Sequence, residues 1–167
     1  MSNGGWNRRV WRLAGPIMLA NVTIPLLGIV DTAVVGHLNQ VYYLGAVAVG
    51  ALIFSFLYWG FGFLRMGTTG FTAQAHGAGN TAEAVDTLWR ALVMAVVIGA
   101  TLLISQGLII EGVMALMGTS AEVETHARVY FTIRIWSAPA ALANYVVLGW
   151  FLGMQNARAG LIIQVFI

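Results

Sequence analysis

Only 8% of the 167 residues are charged, against roughly a quarter in an ordinary soluble domain, and 59% are hydrophobic. So few charges cannot clothe a water-exposed surface, and the mean hydropathy of +0.83 marks an integral membrane protein. There are eight cationic side chains, all arginine, and no basic cluster beyond Arg8, Arg9 and Arg12. A nucleic-acid footprint, which needs a stripe of cations along one face, is excluded. The absence of cysteine excludes disulfides, thiolate catalysis and cysteine metal sites.

A helix crossing the hydrocarbon core needs about 20 mainly apolar residues. The first candidate covers about 10–37, with Pro16 and Pro25 inside it. Basic residues followed by an apolar run resemble a signal peptide. The run from Leu13 to Val35 exceeds the usual length, however, and further spans follow, so an uncleaved first helix is expected. The second candidate is 42–75, with Arg65 as its one charge; the third is 81–110. Asn80 is placed to cap the third, with Glu83 three residues on. The fourth covers 120–153, opened by Thr119 and Glu122 at capping-box spacing. A fifth begins at about residue 157 and stops at Ile167 while still apolar, too short to cross. A fragment of a longer protein is therefore expected. Short polar breaks fit antiparallel neighbouring helices. The fold class is all-α: a polytopic membrane helical bundle of four full transmembrane helices and the start of another.

Arginine placement sets orientation. With a cytoplasmic N-terminus, Arg8, Arg9, Arg12, Arg90 and Arg158 fall inside. Arg128 and Arg134 then fall outside, beside Glu111, Glu122 and Glu124. The bias favours that arrangement.

Asp31 is the one Asp, Glu, Lys or Arg between Arg12 and Arg65. An ionised carboxylate deep in a bilayer costs at least about 2.5–3.5 kcal/mol. Desolvation disfavours the charged form and brings proton exchange toward physiological pH. The group exchanges a proton, joins oxygen ligands around a monovalent cation, or hydrogen-bonds a neighbouring helix. Gly28, Thr32 and Gly36 form a small-residue stripe beside it that admits another helix. Pro16 and Pro25 kink the first helix, as a moving element or a static bend. Arg65 lines a cavity or snorkels to the inner interface. Asn144, deep in the fourth helix, helps coordinate an ion or bonds a nearby helix.

His37 and His76 fall at helix ends without metal-ligand spacing. The HGAGN glycines lack the P-loop lysine and dinucleotide spacing. Trp6, Trp11, Tyr42, Tyr43, Trp89 and Trp136 read as interfacial belts. No nucleophile–base pair is visible, so enzyme chemistry has no constellation and no cofactor is implied.

Three blocks in order, GPIMLANVTIPLLGIVDTAVVGHL, FLRMGTTGFTAQAHGAGN and RIWSAPAALANYVVLGWFLGMQNARAG, carry a family likeness. They resemble the multidrug and toxic compound extrusion (MATE) transporters, in the DNA-damage-inducible protein F branch. The resemblance covers about residues 11–167. It implies two six-helix bundles facing a central cavity, related as repeats, of which this chain supplies part of the N-terminal one. It implies export of cationic or amphipathic compounds across a bacterial inner membrane in exchange for protons or sodium ions. Asp31 then matches the acidic residue of the first helix, Pro16 the proline where that helix bends, and Asn144 a polar position of helix four. The further asparagines and second aspartate of helix five are expected beyond Ile167, with the rest of the transporter. Two other readings stay open. A non-transporting membrane assembly subunit would tolerate Asp31→Asn, and a lipid-precursor flippase would need a cationic cavity around Arg65.

Overall fold

The computed structural model describes residues 41–118 and 120–166, with Trp11, Ala14, Gly15, Met18 and Ala33 as isolated positions. Most of the expected first helix, including Pro16, Pro25, Asp31 and His37, lies outside the described residues. From residue 41 on, the described residues form seven α-helices in succession: α1 (Val41–Gly60), α2 (Gly62–Gly77), α3 (Thr81–Ile104), α4 (Gln106–Met117), α5 (Ala121–Arg134), α6 (Ala138–Gly153) and α7 (Ala157–Phe166). A 3-10 turn at Ile135–Ser137 joins α5 to α6. Among the described residues, three helical runs are long and apolar enough to cross a membrane: Tyr42–Gly77, Thr81–Ile104 and Ala121–Gly153. The described part is a helical membrane bundle.

Each long run is shaped by its sequence. The expected helix over 42–75 breaks between two glycines, at Phe61, because glycine costs about 1 kcal/mol in a helix. There the chain tightens to three-residue bonds, Phe61 N–H to Tyr58 O at 3.1 Å and Leu64 N–H to Phe61 O at 3.0 Å. The segment expected over 81–110 divides at Ser105. The fourth divides because Pro139 has no N–H to give the carbonyl four residues back, that of Ile135. Instead the Ala138 N–H takes Ile135 O in a 3-10 bond, and Ser137 Oγ donates to Arg134 O at 2.8 Å.

The ends are set by side chains and by one left-handed glycine. Asn80 Oδ1 accepts from Glu83 N–H at 3.1 Å, capping α3 as its spacing implied. Ser120, at the N-cap of α5, makes no side-chain cap bond, and Thr119 lies outside the described residues. Gly118, at φ 56°, closes α4 in a conformation that a side chain would strain.

Helix α6 is the centre of the packing, with α2 and α3 against it. Phe54 on α1, Phe131 on α5, Ile135 in the 3-10 turn, and Leu142 and Val146 on α6 are fully buried and belong to one core cluster. Phe54 and Phe131 stack with ring centroids 5.3 Å apart. The outward face carries Phe56, Trp59, Met66, Trp89, Val97, Ile104 and Leu108, all largely exposed, as a lipid-facing surface requires.

Candidate functional site

Glycines set how closely the helices around the site approach. A Cβ on Gly149 would sit 2.6 Å from Arg65 O, and one on Gly153 would sit 2.8 Å from Thr69 O. This small-xxx-small pair brings the α6 backbone against α2. Thr69 Oγ1 lies 2.8 Å from Arg65 O and 3.1 Å from Gly149 O, within hydrogen-bond distance of both helices. Trp150 Nε1 donates to Ala84 O at 2.8 Å, tying α6 to α3 as well. A Cβ on Gly99 would meet Pro139 at 2.6 Å, and one on Gly50 would overlap the Tyr130 ring.

Against this frame the expected site residues fall as follows. Asp31 and Pro16 lie outside the described residues. Arg65 is half-buried on α2, its backbone packed against Gly149. Asn144 is half-buried on α6, and its Oδ1 is buried with no hydrogen-bond partner among the described residues. A buried amide oxygen without a donor is costly, so this atom has capacity left for an ion, a water or another helix. Arg65 lies on the α2–α6 seam where it meets Gly149, whereas Asn144, five residues before Gly149, is turned about 140° from it around α6.

Charges gather at the two ends of the bundle. At one end, Arg90 pairs with Glu83 at 3.2 Å and approaches Asp86 at 3.9 Å. At the other, Arg128 bridges Glu111 and Glu124, each at 2.7 Å, and so clips α4 to α5. Hydrogen bonds from Arg128 hold the Glu111 carboxyl below its ordinary value. His126 stacks on Tyr42 at 5.0 Å near the same end. Among the described residues no group of three or more His, Cys, Asp or Glu could hold a metal ion.

Arg134, expected at the outer side, ends α5 and is exposed. Its guanidinium lies 5.2 Å from the centroid of the Phe54 ring and 5.5 Å from that of Tyr130, and it hydrogen-bonds the Tyr130 hydroxyl. Trp136, expected in an interfacial belt, sits in the 3-10 turn and is largely exposed. Sequence reasoning also missed Gly149 and Gly153, although their four-residue spacing was visible.

A family model described as MatE matches residues 16–167, a range that includes Pro16, Asp31, Arg65 and Asn144. The chain is similar to DNA damage-inducible protein F of Escherichia coli (strain K12), with 48% identity over 159 residues. That alignment covers 95% of this chain and 35% of that protein. It is also similar to the probable multidrug resistance protein NorM of Caulobacter vibrioides, with 32% identity over 154 residues, 89% of this chain and 31% of that one. The chain thus spans about a third of the length of these curated relatives. No solved structure matches it. With the family match running through all three long apolar runs of the bundle, the chain belongs to the MatE family.

Proposed function

We propose that this chain forms the N-terminal part of a secondary transporter. It exports amphipathic or cationic small molecules across a bacterial inner membrane in exchange for protons or sodium ions, with its N-terminus in the cytoplasm. The observation that carries the reading is the family match over residues 16–167, supported by a curated relative named as a probable multidrug resistance protein. The remaining helices would come from the C-terminal part of the same transporter.

In this reading Asp31 is the coupling acid. Burial favours its neutral form, while entry of water or a cation favours the charged one. Both states are then reachable within a transport cycle. Asn144, with its spare amide oxygen, would supply a neutral ligand without a second charge. Pro16 lies about four turns earlier on the expected first helix, where a bend would follow the change of charge. Arg65 would line the inner mouth of the cavity.

The test is substrate efflux under an imposed proton or sodium gradient, in a transporter carrying this segment, at matched expression. Asp31→Asn should preserve insertion and abolish ion-driven export. Export equal to the parent would reduce Asp31 to a packing residue.

A further inference from the structure

Between α2 and α3 lies a groove of about 380 Å³, a volume in the range of small-molecule sites. Leu64, Thr68 and Thr87 are buried at its floor. The two threonine hydroxyls donate to their own helices, to Leu64 O at 2.7 Å and Glu83 O at 2.8 Å. Phe63 and Phe71 stand exposed on the α2 wall, one turn before and after Gly67, and Met94 stands on the α3 wall. A Cβ on Gly67 would meet nothing within 4 Å, so the gap between the two rings is open. Glu83 and Arg90, paired at 3.2 Å, form the rim. Gly67 is turned about 160° around α2 from both Arg65 and Thr69, which face α6. The groove therefore opens away from α6.

Polarity changes along this groove in the direction a membrane imposes. On α3, Glu83 stands about 3 Å, Arg90 about 14 Å and Met94 about 20 Å from the first residue. On α2, which runs the other way, Phe71 and Phe63 stand about 9 and 21 Å from the last residue. The charges thus lie at the shallow end, and Phe63 and Met94 lie level at the deep end. From Ala91 to Ile104 α3 carries no charge, and Trp89, largely exposed, marks the boundary as an interfacial aromatic does. The groove begins in the headgroup layer and runs down into the hydrocarbon.

We propose that the α2–α3 groove binds a phospholipid with a primary-ammonium headgroup. One acyl chain lies between the Phe63 and Phe71 rings and against Met94, the phosphate on Arg90, and the ammonium on Glu83 and Asp86. The tail is assigned by the apolar deep end, whose hydroxyls have already spent their hydrogens. The headgroup is assigned by charge. Arg90 pairs with Glu83 and approaches Asp86 at 3.9 Å, so two carboxylates share one guanidinium. Of the five N–H donors of a guanidinium, one goes to Glu83, which leaves donors for a phosphate. The surplus carboxylate repels an anionic headgroup and accepts a hydrogen bond from an ammonium. A trimethylated ammonium has no N–H to give. A lipid so placed touches both helices, and its binding asks nothing of the transport reading.

The test is photolabelling of a full-length transporter carrying this segment, reconstituted in vesicles with a trace of phosphatidylethanolamine that bears a diazirine in its acyl chain. Peptide mapping should place label on α2 and α3 around Phe63, Phe71 and Met94. Gly67→Leu fills the gap between the rings and should abolish that labelling while label elsewhere on the protein is kept. If Gly67→Leu does not accumulate, Met94→Trp narrows the same groove from α3 and decides. Unlabelled phosphatidylethanolamine should compete about fivefold better than phosphatidylglycerol or phosphatidylcholine, the most that one exposed ion pair gives. Glu83→Gln with Asp86→Asn should remove that preference and leave the labelling. No label in the groove, or label that the groove-filling variant does not reduce, overturns the site. Equal competition by the three headgroups means an annular lipid only and overturns the headgroup assignment. Displacement by a hydrophobic ammonium drug in preference to phosphatidylethanolamine would give the groove to exported compounds and overturn the lipid.

Discussion

Thr69 Oγ1 on α2 lies 3.1 Å from the carbonyl oxygen of Gly149 on α6, at a place where a Cβ on Gly149 would meet the Arg65 carbonyl at 2.6 Å. A hydroxyl bridging two helices needs the backbones close, and the glycine is what lets them approach. The obstacle to any larger residue is backbone, which cannot rotate away as a side chain can.

Gly149→Leu should therefore destabilise the bundle by about 1–3 kcal/mol, the usual range for overpacking. Thr69→Val, which deletes the hydroxyl and keeps the shape, should cost about 0.6 kcal/mol. Chemical denaturation in detergent separates the two. A Gly149→Leu variant as stable as the parent would mean that α2 and α6 do not approach this closely.

The helical class and the long spans were legible because the 59% hydrophobic residues gather in runs of about 20 or more with few charges and without the alternation a membrane β-strand needs. The cap at Asn80 was legible because the spacing to Glu83 is local. The breaks at Phe61 and Ile135–Ser137 were not read, although Gly60, Gly62 and Pro139 signal them, because hydropathy runs smoothly through each. A 33-residue run exceeds what the membrane needs, so composition alone does not say where along it the interface falls. The spare oxygen of Asn144 needed three-dimensional packing to appear, since an amide in a sequence does not reveal whether it is satisfied.

Removing the cap should have a local effect. Asn80→Ala loses the bond to Glu83 N–H and should destabilise the start of α3 by about 1 kcal/mol. Amide exchange of the first turn should rise while exchange in the interior of α3 is unchanged. Uniformly faster exchange along the helix would contradict a capping role.

The Arg128 clip gives a pH dependence of known sign. Its hydrogen bonds to Glu111 lower that carboxyl from its ordinary value of 4.5, with the charge of Arg128 adding to the effect. A carboxyl depressed in the folded state contributes stability that is fully present above its ordinary value. The contribution is lost as pH falls through the lowered one. Thermal stability should thus fall on acidification, and Glu111→Gln should flatten that fall. Salt should weaken the effect, since Glu111 is 70% exposed. An identical acid profile for the parent and Glu111→Gln would remove the clip as a contributor.

Expressed alone, residues 1–167 should not export substrate. The chain spans about a third of the length of its curated relatives, and a bundle without its partner helices would leave polar groups such as the Asn144 amide oxygen without a partner. Drug efflux above background in cells lacking any full-length homologue would show otherwise.

Orientation is open to direct measurement because the chain has no cysteine of its own. The arginine bias puts the turn at Gly79–Asn80 on the cytoplasmic side, with Arg90 just beyond it and Arg158 opening α7. That turn and the one closing α6 lie at the same end of the bundle, since Gly153 packs on Thr72 and Trp150 on Ala84. The Arg128 clip then faces the periplasm, where two acids to one arginine leave no positive excess. A cysteine at Asn39 should react with a membrane-impermeant maleimide added to intact cells, and one at Asn80 should react only after permeabilisation. Labelling of Asn80→Cys in intact cells, with Asn39→Cys protected, would invert the topology. It would then put the clip and the stacked His126–Tyr42 pair in the cytoplasm.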